Sequence, residues 1–192
     1  MVDSDIVILK KMILPEATVR LESTKYQKKI VKFTEYSDNY TVTIHGMPDD
    51  NEVIAIKADA FSAPKEIFQG TKGECKRADF VIIADTIKKG KFIVFIEMKG
   101  GKKTSKEKEI IQQLKGAQCF VEYCQAIGKS FWEKRYFLDD YQYRFVSIKN
   151  IKIPKSKTRY ESKADIHDTP EKMLKISDPH HIQFNRLIGG KK

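Results

Sequence analysis

The chain has 192 residues, 41% of them apolar and 32% charged, and carries a formal net charge of +10. That is enough apolar material for one domain, 1–192, with a real core, and no apolar run approaches the ~20 residues that would cross a bilayer. Three cysteines, Cys75, Cys119 and Cys124, are an odd number without metal-type spacing, so free buried thiols are expected rather than a disulfide framework. The acidic start, Asp3 and Asp5, is unlike a signal peptide, and a cytoplasmic location is expected. The charge is uneven: residues 1–100 hold 16 Lys/Arg against 15 Asp/Glu, whereas 101–192 hold 20 against 11. A basic half points to a polyanionic partner, most often nucleic acid, or to a solvated lysine-rich surface.

In chain order, Ile6-Val7-Ile8-Leu9 reads as a short strand, and Glu16 to Phe33 as helical in part. Tyr40–Ile44 and Glu52–Ile56 alternate as strands around the turn Pro48-Asp49-Asp50-Asn51, which predicts a β-hairpin laid before the core. Ser62 to Phe68 predicts one or two helical turns, with Ser as N-cap and Gly70 after the end. Residues 78–99 form the central hairpin. Its two β-branched runs, starting at Asp79 and ending at Glu97-Met98-Lys99, are joined by Thr86-Ile87-Lys88-Lys89-Gly90-Lys91, and their continuous apolarity implies burial on both faces.

A helix over roughly 105–127 follows. A capping box at Thr104 to Glu107 starts it, Ile110, Leu114, Ala117, Val121 and Cys124 recur at helical spacing, and Gly128 is expected to end it. Cys119 and Cys124 fall on or near its apolar side. Phe131, Trp132, Tyr136 and Tyr141 after the helix read as core more readily than as a base-stacking platform. A strand is expected over 142–149, a basic loop or weak hairpin over 150–180, and a terminal strand from His181 to Ile188. His180-His181, with Asp178 and His167 near in sequence, offers imidazoles, but adjacent strand residues point to opposite faces, which argues against joint metal ligation.

Three charged groups at the margins of a buried hairpin need partners. Asp79 and Glu97 supply oxygen ligands for a hard cation, and Lys99 shares Glu97's strand face because side chains two apart point the same way. Met98 points to the opposite face, with its carbonyl available as a further ligand. Positive charge beside a cation-binding pair of carboxylates is what phosphodiester hydrolysis requires. Glu-x-Lys occurs three times, at Glu74-Lys76, Glu97-Lys99 and Glu161-Lys163. Only the middle copy ends a buried strand that is paired with an acid-led one. The competing reading is a salt-bridged strand end.

The order Asp79, hairpin, Glu97-Met98-Lys99, helix with Gln112-Gln113, strand resembles the PD-(D/E)XK nuclease superfamily over about residues 60–150. Ala78-Asp79 stands in place of the Pro-Asp that names the group. The resemblance implies an α/β fold with a restriction-endonuclease-like core, a central mixed β-sheet flanked by helices, here with the N-terminal hairpin added. It implies Mg²⁺ or Mn²⁺ held by Asp79, Glu97 and the Met98 carbonyl, with Lys99 orienting the attacking water. Glu66 is the first choice for the family's upstream glutamate, ahead of Glu74 and Glu35, and Gln113 for its helix glutamine. Lys102, Lys103, Lys106 and Lys115 are candidate phosphate contacts. The implied activity is metal-dependent DNA cleavage; a catalytically inactive module binding nucleic acid or a protein, and cleavage of RNA, are the alternatives. No membrane is implied, and a homodimer is left open.

Overall fold

A computed structural model describes residues 3–36, 39–100, 106–150 and 166–189. Ile6 to Leu9, expected as a strand, lie in helix α1 (Asp5–Met12). The Ser4 hydroxyl accepts the Val7 amide at 3.3 Å, and Lys10 and Lys11 sit in the last turn, where positive charge complements the helix dipole. The apolar run is too short to distinguish strand from helix by itself, and the cap decides. The stretch from Glu16 to Phe33 is not helical beyond one 3₁₀ turn at Pro15–Ala17. It forms β1 (Glu22–Ser23) and most of β2 (Lys29–Glu35).

The predicted hairpin of Tyr40–Ile44 with Glu52–Ile56 does not form, although both segments are strands. β3 (Tyr40–Met47) pairs with β2, while β4 (Val53–Lys57) pairs with β5 (Phe80–Thr86) in another sheet. The 48–52 turn therefore hands the chain from one layer to the next. Burial patterns explain it: β3 alternates, as a strand with one wet face must, whereas Val53 to Ile56 are buried without interruption. The Ser62–Phe68 segment is a single turn, with Phe68 N–H donating to the Pro64 carbonyl at 2.9 Å, and not a helix.

The central hairpin is as predicted. β5 pairs antiparallel with β6 (Gly90–Lys99) from Thr86–Gly90 to Phe80–Ile96. The Thr86 hydroxyl closes the turn, donating to Gly90 O at 3.1 Å and accepting from Lys89 N at 3.0 Å. Helix α2 (Glu107–Phe131) crosses to β7 (Gln142–Lys149), which runs parallel to β6. All five predicted apolar positions of α2 are buried, but Gly128 does not end it. A Cβ there would stand 2.1 Å from Phe137 Cδ1, so this glycine is a close-packing position inside the helix. The Thr104 cap lies outside the described residues; Lys106 is the N-cap and makes no side-chain cap bond.

β8 (Leu174–Ser177), inside the segment expected as a loop or weak hairpin, adds parallel to β7; residues 151–165 lie outside the described residues. The predicted terminal strand is only β9 (His181–Gln183), parallel to β3, before α3 (Phe184–Leu187). Among the described residues the fold is thus α/β, with two mixed sheets, β1-β2-β3-β9 and β4-β5-β6-β7-β8, and three α-helices. One apolar cluster lies between the five-stranded sheet and helices α1 and α2, the other between the two sheets. β6 serves both: Ile93 and Phe95 face the helices, and Phe92, Val94, Ile96 and Met98 face the second sheet. Each such fully buried side chain contributes about 1.5–3 kcal/mol.

Two expectations about side chains are corrected. Cys124 is buried, but Cys119 is exposed, and the pair stay free thiols with Cys75. Phe131, Tyr136 and Trp132 are 81%, 65% and 38% exposed and are not core; of these four aromatics expected in the core, Tyr141 alone is buried. No helix among the described residues is long and apolar enough to cross a membrane.

Candidate functional site

The strand parity of the five-stranded sheet places Asp79, Glu97 and Lys99 on its helix-facing side. Asp79 is one residue beyond the Phe80–Ile96 pair, so it stands beside Glu97 at the end of the hairpin. Its Oδ2 accepts the Met98 amide at 2.6 Å, which ties the acid to the neighbouring strand. Lys99 reaches back over Glu97, with Nζ 2.5 Å from Oε1. Glu97 is fully buried, while the Lys99 side chain is 28% exposed. The lysine therefore covers the carboxylate from the solvent side.

Among the described residues the Lys99 ammonium is the partner of the Glu97 carboxylate, and no backbone or hydroxyl donor joins it. A buried carboxylate with a single, partly exposed cationic partner is incompletely compensated for its lost hydration, and a further cation or a proton would recover more of that cost. Burial, chiefly, pushes Glu97 up from 4.5 to about 8, with the Asp79 charge adding to it and Lys99 opposing. Burial likewise lifts Asp79 from 3.8 to about 7 against the Met98 amide and Lys99. For Lys99, burial works downward, but Glu97, Asp79 and Glu35 outweigh it and leave its pKa raised. The lysine is charged at neutral pH, and two crowded carboxylates beneath it resist ionising together.

Two further acids belong to this end of the sheet. The charge of Glu35, at the end of β2, raises Asp79, Glu97 and Asp59. Its strand carries Val31 and Phe33 inward at alternate positions, and Phe33 stacks on Phe80 with ring centroids 4.1 Å apart. Asp59, in the 3₁₀ turn after β4, is raised mainly by burial and in turn raises Asp79. Glu66, the first choice from sequence, is exposed on the 65–67 turn. Glu74 is exposed and spends its carboxylate on the Gly70 and Lys72 amides at 3.0 and 2.8 Å. Of the three glutamates weighed for the upstream position, Glu35 is the one whose charge reaches the pair. Its signal was present as an inward continuation of the Val31, Phe33 row, but it became readable only once β2 was known to be a strand. Asp59 was missed; its position directly after an apolar run was the cue.

Ser147 was also missed. It is Glu97's register partner on β7, is 1% exposed, and its hydroxyl has no hydrogen-bond partner among the described residues. Lys149 is likewise the register partner of Lys99, which puts a second lysine at this edge. Gln113 is half-buried on α2, and no hydrogen bond among the described residues links it to Asp79, Glu97 or Lys99. Its neighbour Gln112 anchors the preceding loop, donating to Lys72 O at 2.7 Å. Met98 keeps its side chain in the inter-sheet core, as predicted, with its backbone at the site. Lys106 is exposed at the start of α2, and Lys115 is paired with Glu171 at 2.6 Å on the surface. Lys102 and Lys103 lie outside the described residues.

The residues fit a hard divalent cation in donor chemistry: two anionic oxygen groups side by side at the end of β5 and β6, one of them fully buried. Among the described residues, no three His, Cys, Asp or Glu side chains already converge as a metal-binding group. No protein-family model matches the chain, and no curated protein or solved structure matches it significantly.

The raised carboxylates make stability depend on pH. Between about pH 4 and 8 the folded chain holds protons that the unfolded chain has lost, so stability falls as pH rises through about 7 and 8. Below neutrality His167 acts in the other sense: buried and bound to Leu187 O at 2.8 Å, its pKa is lowered mainly by burial, and stability is lost as it is forced to protonate. Urea titrations without divalent ions should therefore show a loss on the order of 2–4 kcal/mol from pH 6 to 9. Mg²⁺ or Mn²⁺ should recover most of it at pH 8.5 and little at pH 5.5. A flat alkaline limb would overturn the assigned electrostatics.

Proposed function

We propose that this chain is a divalent-metal-dependent nuclease of the PD-(D/E)XK type that hydrolyses phosphodiester bonds in DNA. The observation that carries the reading is the fully buried Glu97 carboxylate, set between Asp79 and the Lys99 ammonium at one end of β5 and β6. The connectivity supports it: antiparallel β4, β5 and β6, a helix crossover through α2, then β7 parallel to β6 is compatible with a restriction-endonuclease-like core. In this reading Asp79, Glu97 and the Met98 carbonyl hold Mg²⁺ or Mn²⁺, and Glu35 replaces Glu66 as the supporting acid.

Bound there, the ion would supply charge neutralisation and a more acidic water. The residues do the rest. Asp79 is positioned by the Met98 amide, so its remaining oxygen presents a fixed anionic donor. Glu97, ionised and flanked by Lys99, would offer its second oxygen as an anionic donor. Lys99, held charged by Glu97 and Asp79, places an ammonium where water and the scissile phosphate meet, and offsets charge as it develops on phosphate. Lys149 and Lys106 extend positive charge along the path of a polyanion.

The test is incubation of plasmid, linear and single-stranded DNA with Mg²⁺ or Mn²⁺. Cleavage is expected, with Asp79→Ala and Lys99→Ala each slower by about 10²–10³-fold. Equal cutting by wild type and variants would end the enzyme reading. The absence of a ready three-ligand cluster among the described residues favours a second reading, an inactive module that binds nucleic acid. Salt-sensitive binding that needs no divalent ion and survives Glu97→Gln, with no cleavage, would establish it.

A further inference from the structure

The adjacent histidines at the start of β9, His180 just before the strand and His181 its first residue, part company, and each meets a different neighbour. His180 packs edge-on against Tyr40, with ring centroids 6.0 Å apart. His181 turns to the outer face of the four-stranded sheet and meets His45 of β3, His45 Nε2 lying 3.0 Å from His181 Nδ1. The two rings are brought together by the parallel ladder, Thr43 opposite His181 and His45 opposite Gln183, and by the Thr43 amide donating to His180 O at 2.9 Å. Both are solvent-accessible. Gln183 lies on the same face as His181 and carries its amide oxygen across Gly46, 3.3 Å from where a Cβ would be.

We propose that His45 and His181 form a two-imidazole binding site for a late first-row divalent cation, Ni²⁺, Cu²⁺ or Zn²⁺. Two nitrogens bound to one ion at ~2.0–2.1 Å stand about 2.9 Å apart at a right angle and about 3.4 Å apart at the tetrahedral angle. The observed separation matches the first and is a few tenths of an ångström short of the second, a gap small ring rotations close. The ion takes over the place of the shared proton, with both neutral nitrogens as donors. Water and the Gln183 oxygen complete its shell. Its effect is mechanical: β9 is three residues long and pairs with β3 alone, yet it leads into α3, whose Phe184 and Leu187 fill the inter-sheet core. A ligand bridging β3 and β9 staples that terminal segment to the sheet. Imidazole donors separate this site by chemistry from the carboxylates at Glu97, and it stands whether or not the chain cleaves DNA.

Untagged protein should be titrated calorimetrically with NiCl₂, CuCl₂ and ZnCl₂, with MgCl₂ as the hard-ion control, and its thermal midpoint followed. A site that survives Glu97→Gln, with a midpoint raised by the ion, is expected for wild type, His180→Asn and Glu97→Gln; an ion held at Asp79 and Glu97 is told apart by its loss in Glu97→Gln. His45→Asn and His181→Asn should each lose affinity by about tenfold or more. The electron paramagnetic resonance spectrum of the Cu²⁺ complex should show two coordinated nitrogens, a signature that a merely destabilised variant does not imitate. Unchanged affinity in both histidine variants, loss in Glu97→Gln instead, or no binding by wild type would each overturn the assignment.

Discussion

Under the proposed nuclease activity, Glu97→Gln is expected to slow cleavage about 10³-fold and, at pH 8, to make the protein more stable. The two effects have one cause. Glu97 is fully buried, and its pKa is pushed up to about 8 by burial and by Asp79, against the opposing Lys99 charge. A neutral amide of the same shape removes the charge that folding must otherwise desolvate, and with it the repulsion felt by Asp79. The gain should be about 2–3 kcal/mol at pH 8, roughly 5–10 °C in midpoint for a domain of this size, shrinking towards pH 5.5. The same change removes the anionic donor, and turnover should fall about 10³-fold. In the proposed reading, stability is given up at this position for chemistry. A variant that is less stable at pH 8, or that still cuts at the wild-type rate, would show Glu97 to be only a strand-end ion-pair partner of Lys99.

Gly116→Ala reverses the sign that helix propensity gives. In a helix interior, Ala for Gly normally stabilises by about 1 kcal/mol. Here the added Cβ would lie 1.8 Å from the Lys76 carbonyl oxygen and 2.8 Å from its carbon. That neighbour is backbone, fixed three residues before Asp79, and it cannot rotate away as a side-chain tip can. Either α2 lifts from the sheet or residues 76–79 shift, and the net cost should be about 2 kcal/mol or more. Because the displaced segment before β5 carries Asp79, the proposed cleavage should fall further than stability alone accounts for, about tenfold or more even at temperatures where the chain stays folded. Chemical denaturation together with cleavage rates at low temperature separates the two. A stabilised, fully active Gly116→Ala would mean that the helix and this segment are not in contact.

The hairpin and the helix after it were legible because their signals are local and strong. Phe80 to Ile83 and Phe92 to Ile96 are apolar on both faces, Gly90 makes the turn, and Ile110 to Cys124 repeat at helical spacing. What was misread lay where a short pattern has two physical readings. Ile6-Val7-Ile8-Leu9 is apolar enough for strand or helix, and the Ser4 cap settles it. The 48–52 turn would serve a hairpin, but uninterrupted burial of β4 sends it to the inner sheet. Gly128 looks like a helix end in one dimension and is a contact point for Phe137 in three.

The sequence by itself determined the paired acids and the lysine: Asp79 opens one buried strand, and Glu97 and Lys99 share a face at the end of its partner, since alternation along a strand is a property of the backbone alone. It also determined that Met98 faces away from them. Only the tertiary structure decided which other groups join them. Glu35 arrives from the second sheet, Asp59 from the end of β4 and Ser147 from a parallel strand fifty residues on, while Glu66, nearer in sequence, stays in solvent. It likewise decided that His181 meets His45 rather than His180. Contacts between layers depend on how whole sheets stack, and no local period along the chain carries that information.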